Sequence, residues 1–142
     1  MIVEHRTLEL STRGNDQILD LTDQVQALVA ETGLTTGQVV LMVQGSTGAL
    51  STLEFEPGLV DHDIAAAMER IAPRDGRYLH EETWHDDNGH SHVRATLMGP
   101  SLALVVADGA IPLGTWQQIV FMDFDTRSRR RTIHVSLLGV CG

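Results

Sequence analysis

Three apolar segments in the C-terminal third, each closed by turn-forming residues, limit the fold more than any other feature of the chain. They are Leu102 to Val106, Trp116 to Phe124 and Thr132 to Leu138. Asp108-Gly109 and the stretch Asp125 to Arg131 divide them, and residues of this kind reverse the chain between strands. The pattern predicts strands that pair antiparallel in this region. Upstream, Ile2 to Leu10 alternates branched and polar residues and reads as an opening strand. Gln38 to Val43 (QVVLMV) suits a buried strand, and Ala49 to Phe55 resumes an extended pattern after Gly45-Ser46-Thr47-Gly48.

The first half also carries helical spacing. Ile18, Leu21, Val25, Leu28 and Val29 recur as one face of a helix from about Ile18 to Glu31, with Asn15 or Asp16 as its cap and Gly33 as its stop. A second helix is expected from Asp61 to Ile71, ending before Pro73, and Ser91 to Met98 suits a short third one. Arg74 to Asn88 shows no clean period. Helices early and strands late favour an α+β fold, an antiparallel sheet with two to three helices, over a doubly wound sheet. At 142 residues, 42% of them apolar, the whole chain 1–142 is expected to form one domain with a real core.

Charge removes several functions. The formal charge of −9 repels phosphate backbones, so no nucleic-acid partner is expected. All ten basic residues are arginine, which excludes Schiff-base chemistry, a lysine general base and a P-loop lysine. The nucleophile elbow, the dinucleotide fingerprint and the Walker A motif are likewise missing. Cys141 is the only cysteine, so no internal disulfide forms. Met1 to Leu10 lacks the apolar run of a signal peptide, and no eighteen-residue apolar stretch exists. A cytoplasmic protein without a membrane partner is the expectation.

Four of the seven histidines, His80, His85, His90 and His92, fall within thirteen residues, interleaved with Glu81, Glu82, Asp86 and Asp87. Imidazole with carboxylate suits a borderline divalent metal such as zinc, and acidic neighbours also bring imidazole toward general-base range. A solvated polar loop rich in histidine fits the same residues. His90 and His92 share a face only if that piece is extended; in a helix they face apart.

Three further stretches offer ligand contacts. Small residues in Gly45-Ser46-Thr47-Gly48 let backbone N–H groups approach an anion, with Ser46 and Thr47 hydroxyls adding bonds, although a plain tight turn fits equally. Glu54 and Glu56 follow on one face of the next strand. In Gly114-Thr115-Trp116-Gln117 the tryptophan reads as packing and Gln117 as a donor and acceptor for a ligand. Arg127, Arg129, Arg130 and Arg131 form a basic turn, solvated or suited to phosphate oxygens.

Together these segments resemble the YjbQ family. The motifs that carry the resemblance are GSTGALSTLEFEPGL (45–59), YLH (78–80), the N-x-x-x-H of Asn88 and His92, RATLMGPS (94–101), DGAIPLGTWQQIVFMDFD (108–125) and the final R-R-R-x-I-x-V strand. The resemblance implies a compact α+β fold, usually a homotrimer, with a polar cleft. It also implies catalytic roles for His80, His92, Glu54 and Asn88, and substrate contacts from Thr47, Thr115, Trp116 and Gln117, with Gly114 among the matching positions; Ser46 and Arg129 join the substrate contacts from the loop and basic-turn readings above. His80 and His92 are the candidate ligands of a divalent metal, zinc or magnesium. Members of the family show low thiamine-phosphate synthase activity, which implies a phosphate-bearing small molecule as partner. The alternative is a small-ligand or metal-binding trimer without turnover. Many members carry a histidine and two threonines where this chain has Gly45-Ser46-Thr47, and that departure shifts weight to the alternative.

Overall fold

The structure, a computed structural model, describes residues 1–142. Seven strands and four α-helices follow in the order β1 (Ile2–Thr12), β2 (Gln17–Asp20), α1 (Thr22–Thr32), β3 (Leu34–Val43), β4 (Gly48–Leu53), α2 (Ile64–Ile71), α3 (Leu79–Trp84), α4 (Gly89–Met98), β5 (Ser101–Val106), β6 (Gln118–Asp123) and β7 (Arg129–Cys141). A π-helical turn, Leu59–Asp63, leads into α2. The fold is α+β, and every strand pair is antiparallel. No helix is long and apolar enough to cross a membrane.

One sheet has the order β1-β7-β3-β5 and the other β2-β6-β4. Successive strand residues point to opposite faces, and β6 shows what this does in the middle of a layered fold. Its Ile119 and Phe121 join the core between the sheets, with Val25 and Val29 of α1 and Leu41, Val135 and Leu137 of the larger sheet. Its Val120 and Met122 join a second core, with Met68 of α2 and Ala95 of α4. Burial on both faces explains the unbroken apolar run of β6. The other face of the larger sheet carries no helix, and Val3, Met42 and Val105 stand exposed on it.

The last three strands are antiparallel as expected, but to other partners. β5 pairs with β3, β6 lies between β2 and β4, and β7 lies between β1 and β3. Turn signals fix the reversal of direction and leave the choice of neighbour to the cores. The helix expected from Ile18 begins at Thr22, because β6 has a free edge that Gln17–Asp20 fills as β2. The N-cap is Leu21, without a side-chain cap bond, and neither Asn15 nor Asp16 caps the helix; Asp20 Oδ1 accepts the Thr22 N–H (2.9 Å) just ahead of it. Gly33, left-handed with φ 69°, ends α1 as expected. α3 lies inside the stretch that shows no period.

Where β3 crosses β7, Gly37 faces Gly139. A Cβ on Gly37 would stand 2.1 Å from the Leu138 carbonyl oxygen, and one on Gly139 would stand 2.1 Å from the Thr36 carbonyl oxygen. The strands approach this closely only because neither residue has a side chain.

Candidate functional site

α3 and α4 carry the histidines, and the turn between them sets the geometry. His85 ends α3 in the left-handed region (φ 57°), which returns the chain toward Asp86 and Asn88. Glu81 Oε1 accepts the Gly89 N–H at 2.5 Å, and a Cβ on Gly89 would stand 2.5 Å from Tyr78 Cβ. A bare backbone at Gly89 therefore lets the start of α4 seat against α3. The His80 and His92 rings come within 4.4 Å, tilted by 47°. Asp86 Oδ1 lies 3.3 Å from His80 Nε2. The Asn88 amide sits between these groups, one end 3.1 Å from His80 Nε2, the other 3.4 Å from Asp125 Oδ1.

Beneath this cluster lies a buried ion network. Arg131 donates to Asp123 through Nε and Nη2, both at 2.8 Å, and Nη2 also donates to Thr47 Oγ1 at 2.8 Å. Thr47 Oγ1 in turn donates to Asp125 Oδ2 (2.9 Å), and Arg129 Nη2 lies 2.9 Å from the same oxygen. Thr12 Oγ1 adds a bond to Asp123 Oδ2 (2.6 Å). Burial opposes the charge on Asp125, but the Thr126 N–H, the Thr47 hydroxyl and Arg129 outweigh it and hold its carboxyl at about 2. The loop Gly45–Thr47 closes over this network. A Cβ on Gly45 (φ 126°) would stand 3.1 Å from Arg131 Nη1, the one nitrogen of that guanidinium without a hydrogen bond.

The structure brings His80, Asn88, His92, Thr47 and Arg129 together, with Ser46 exposed beside them. Glu54, Thr115, Trp116 and Gln117 lie elsewhere. Register pairs Gly48 with Asp123 at one end of β4 and Leu53 with Gln118 at the other. Extended backbone rises about 3.3 Å per residue, which sets Glu54 on the order of 20 Å from Thr47. The Gly114–Gln117 turn closes on that far end, where Gln117 Nε2 donates to Thr52 Oγ1 (3.2 Å). Trp116 is 73% exposed, so it does not pack in the core of its own chain. β6 starts at Gln118, and the tryptophan belongs to the turn before it.

Because α4 is helical, His90 turns away from His92. It is 3% exposed and lies beside Arg94 on the opposite side. Burial lowers the pKa of both imidazoles, aided by Arg94 and Arg74 at His90 and by His80 at His92. The carboxylates beside His80 are Asp86 and Glu81; the ligand atoms of these three lie within 4.8 Å of one another, a set that does not include His92. Their place between the histidines was the available signal. For the Asp123–Asp125 pair the signal was alternate spacing at the end of an apolar strand.

Borderline imidazole donors with carboxylate oxygens fit zinc better than magnesium, which takes oxygen ligands almost exclusively. The fold and the cluster thus define a small α+β protein with a histidine–carboxylate cluster on the α3–α4 hairpin. The family model described as UPF0047 protein YjbQ-like matches residues 6–140. The chain belongs to this family. It is 38% identical over 126 residues to a UPF0047 protein of Archaeoglobus fulgidus, covering 89% of this chain and 95% of the relative. Against the UPF0047 protein YugU of Bacillus subtilis it is 30% identical, covering 94% and 98%. A crystal structure of a YbjQ-like protein of unknown function from Sulfolobus solfataricus superposes with a TM-score of 0.86 at 28% identity, covering 98% of this chain and 100% of that one. A family member from Clostridium acetobutylicum gives 0.84 at 31% identity, covering 94% and 99%.

Proposed function

We propose that the His80–His92–Asp86 cluster is a divalent-metal centre that receives a phosphate-bearing small molecule. The approach of the His80 and His92 rings to 4.4 Å, with Asp86 3.3 Å from His80, carries this reading. Bound there, zinc would supply Lewis acidity and an activated water. The chain's own residues do the rest. Asn88 fixes the ring of His80, and burial lowers the basicity of His92, which favours the neutral imidazole that ligates a metal. Arg129, with a half-exposed guanidinium, presents a positive edge to phosphate oxygens beside the glycine loop, and the buried Arg131 lies beneath it. Glu54 and the Thr115–Gln117 turn have no part in this centre within one chain.

A zinc titration by calorimetry tests the proposal, on the wild type and on His92→Ala, at pH 7.5 and 5.5. Binding is expected at the higher pH and weaker at the lower, because protons compete for imidazole nitrogens below about 6.5. Absent heat at pH 7.5, or equal binding by the variant, overturns it.

The thiamine-phosphate synthase reaction joins a pyrimidine pyrophosphate to a thiazole phosphate and releases pyrophosphate. Its leaving group needs charge neutralisation, and Arg129 with Arg131 supports that need. Pyrophosphate release that is lost in His80→Ala would establish turnover; no release would leave a binding protein. A homotrimer fits the uncovered apolar face bearing Val3, Met42 and Val105. Light scattering that returns the mass of one chain at micromolar concentration overturns the trimer.

A further inference from the structure

On the opposite side of α4 two cavities meet. One, of about 410 Å3, is bordered by His90, Arg74, Asp61, Asp16 and Glu69. The other, of about 580 Å3, has an apolar wall of Ile18, Phe55, Pro57 and Val60. Asn15, Asp16, Asp61 and Ala65 line both, so they form one groove with a charged half and an apolar half.

The charged half breaks local rules in three places. His90 is 3% exposed, yet its Nδ1 has no hydrogen-bond partner, the only such buried side-chain atom in the molecule. Buried polar atoms are nearly always satisfied, so an orphan beside a cavity points to a partner from outside the chain. Asn15 and Asp16 are both left-handed, with φ of 54° and 68°. Their strain is held by bonds from their N–H groups to the carbonyls of Asp125 (2.6 Å) and Asp123 (2.8 Å). The wall that carries Asp61 is the π-helical turn, a form that concentrates at functional sites.

The balance of charges in the groove indicates the ligand. Arg94 is buried and makes four bonds, to Ala72 O, both oxygens of Asp16 and Glu69 Oε2. Its charge is taken up by Asp16 and Glu69. Arg74 gives one nitrogen to Asn15 Oδ1 (2.8 Å) and keeps the rest of its guanidinium open. Asp61 makes no ion pair. In the charged half one open cation, Arg74, and one open anion, Asp61, border the cavity together with His90 and its unpaired nitrogen. The other half adds Arg13 as a further cation without an ion pair, beside an apolar wall on which Phe55 is 40% exposed.

We infer that this groove binds a small zwitterion with an apolar body, of the kind a free aromatic α-amino acid represents. The carboxylate pairs with Arg74, the ammonium with Asp61, His90 Nδ1 hydrogen-bonds the head group, and the side chain lies against Phe55 and Val60. The site is separate from the metal centre and does not depend on it.

The test follows the imidazole resonances of the whole protein by NMR while L-phenylalanine is added to roughly 20 mM, well above a millimolar Kd. Phenethylamine, which lacks the carboxylate, and 3-phenylpropionate, which lacks the ammonium, form two further arms. A saturable shift at His90 is expected for L-phenylalanine, and binding about tenfold or more weaker for each truncated ligand, as the loss of one paired charge implies. Arg74→Gln should abolish the preference over phenethylamine, and Asp61→Asn the preference over 3-phenylpropionate. No saturable shift, or equal binding of all three ligands by the wild type, overturns the inference. The three ligand arms use the native chain, so they decide the matter whether or not a variant folds.

Discussion

His90 and His92 stand two residues apart on one helix and live in different chemistries. His92 meets another imidazole in a half-open cluster with carboxylates at hand. His90 is buried beside a guanidinium that faces two acids, with one nitrogen unsatisfied. The helix sets them on opposite faces, and the segments packed on each face supply the rest: α3 for His92, the Asn15–Asp16 corner and α2 for His90. A dense run of histidines is therefore two sites and not one, and the density itself says little about either.

The largest expected effect tests whether the His92 side rests on the ion network. Arg131→Met leaves Asp123, fully buried, without its partner. A loss of about 3–5 kcal/mol is expected in urea unfolding, the usual cost of stranding a buried charge. A loss under about 1 kcal/mol would mean that the network is not what supports this face. A pH series comes next. Both imidazoles bind protons less tightly in the folded state than at the ordinary value of about 6.5. The unfolded chain then holds more protons, so stability is full above that pH and falls as pH drops through the lowered folded values. Urea midpoints that stay level or rise between pH 7 and 5 would contradict this sign.

The third measurement separates the two histidines. His90→Phe removes an orphaned polar atom for a modestly larger ring beside a cavity, so stability should rise by about 1 kcal/mol. His92→Phe gives no such gain, because nothing on that side is stranded. Equal gains would erase the contrast. Smallest of all, Trp116→Ala should change stability by less than about 0.5 kcal/mol, since the ring is largely exposed.

The sequence carried the architecture well wherever period and burial agree. α1 from Thr22, β3, β4 and β7 follow from alternation or helical spacing, and Gly33 stops α1 where a left-handed residue is needed. It misled where a segment answers to a partner far along the chain. Ile18 and Leu21 fit a helical face equally well, and only the free edge of β6 makes Gln17–Asp20 a strand. α3 was hidden because a short exposed helix buries nothing and so shows no apolar period. For the site, the histidine-rich span gave His80 and His92, the family resemblance added Asn88, and the hairpin between α3 and α4 does join them. Glu54 and the Gly114–Gln117 turn were grouped with them by motif, yet β4 is a rigid extended segment that holds its two ends apart. Arg131 and the Asp123–Asp125 pair depend on burial, which local spacing does not report.

The facing glycines of β3 and β7 have a consequence for how this chain can change. At most tight contacts a larger residue at one position is compensated by a smaller one opposite. Here each missing Cβ would meet a backbone carbonyl oxygen, Leu138 for Gly37 and Thr36 for Gly139, and backbone has no smaller version. No second substitution relieves the first, so Gly37 and Gly139 form a dead end in sequence space. Neither can drift, and neither can be rescued by the other.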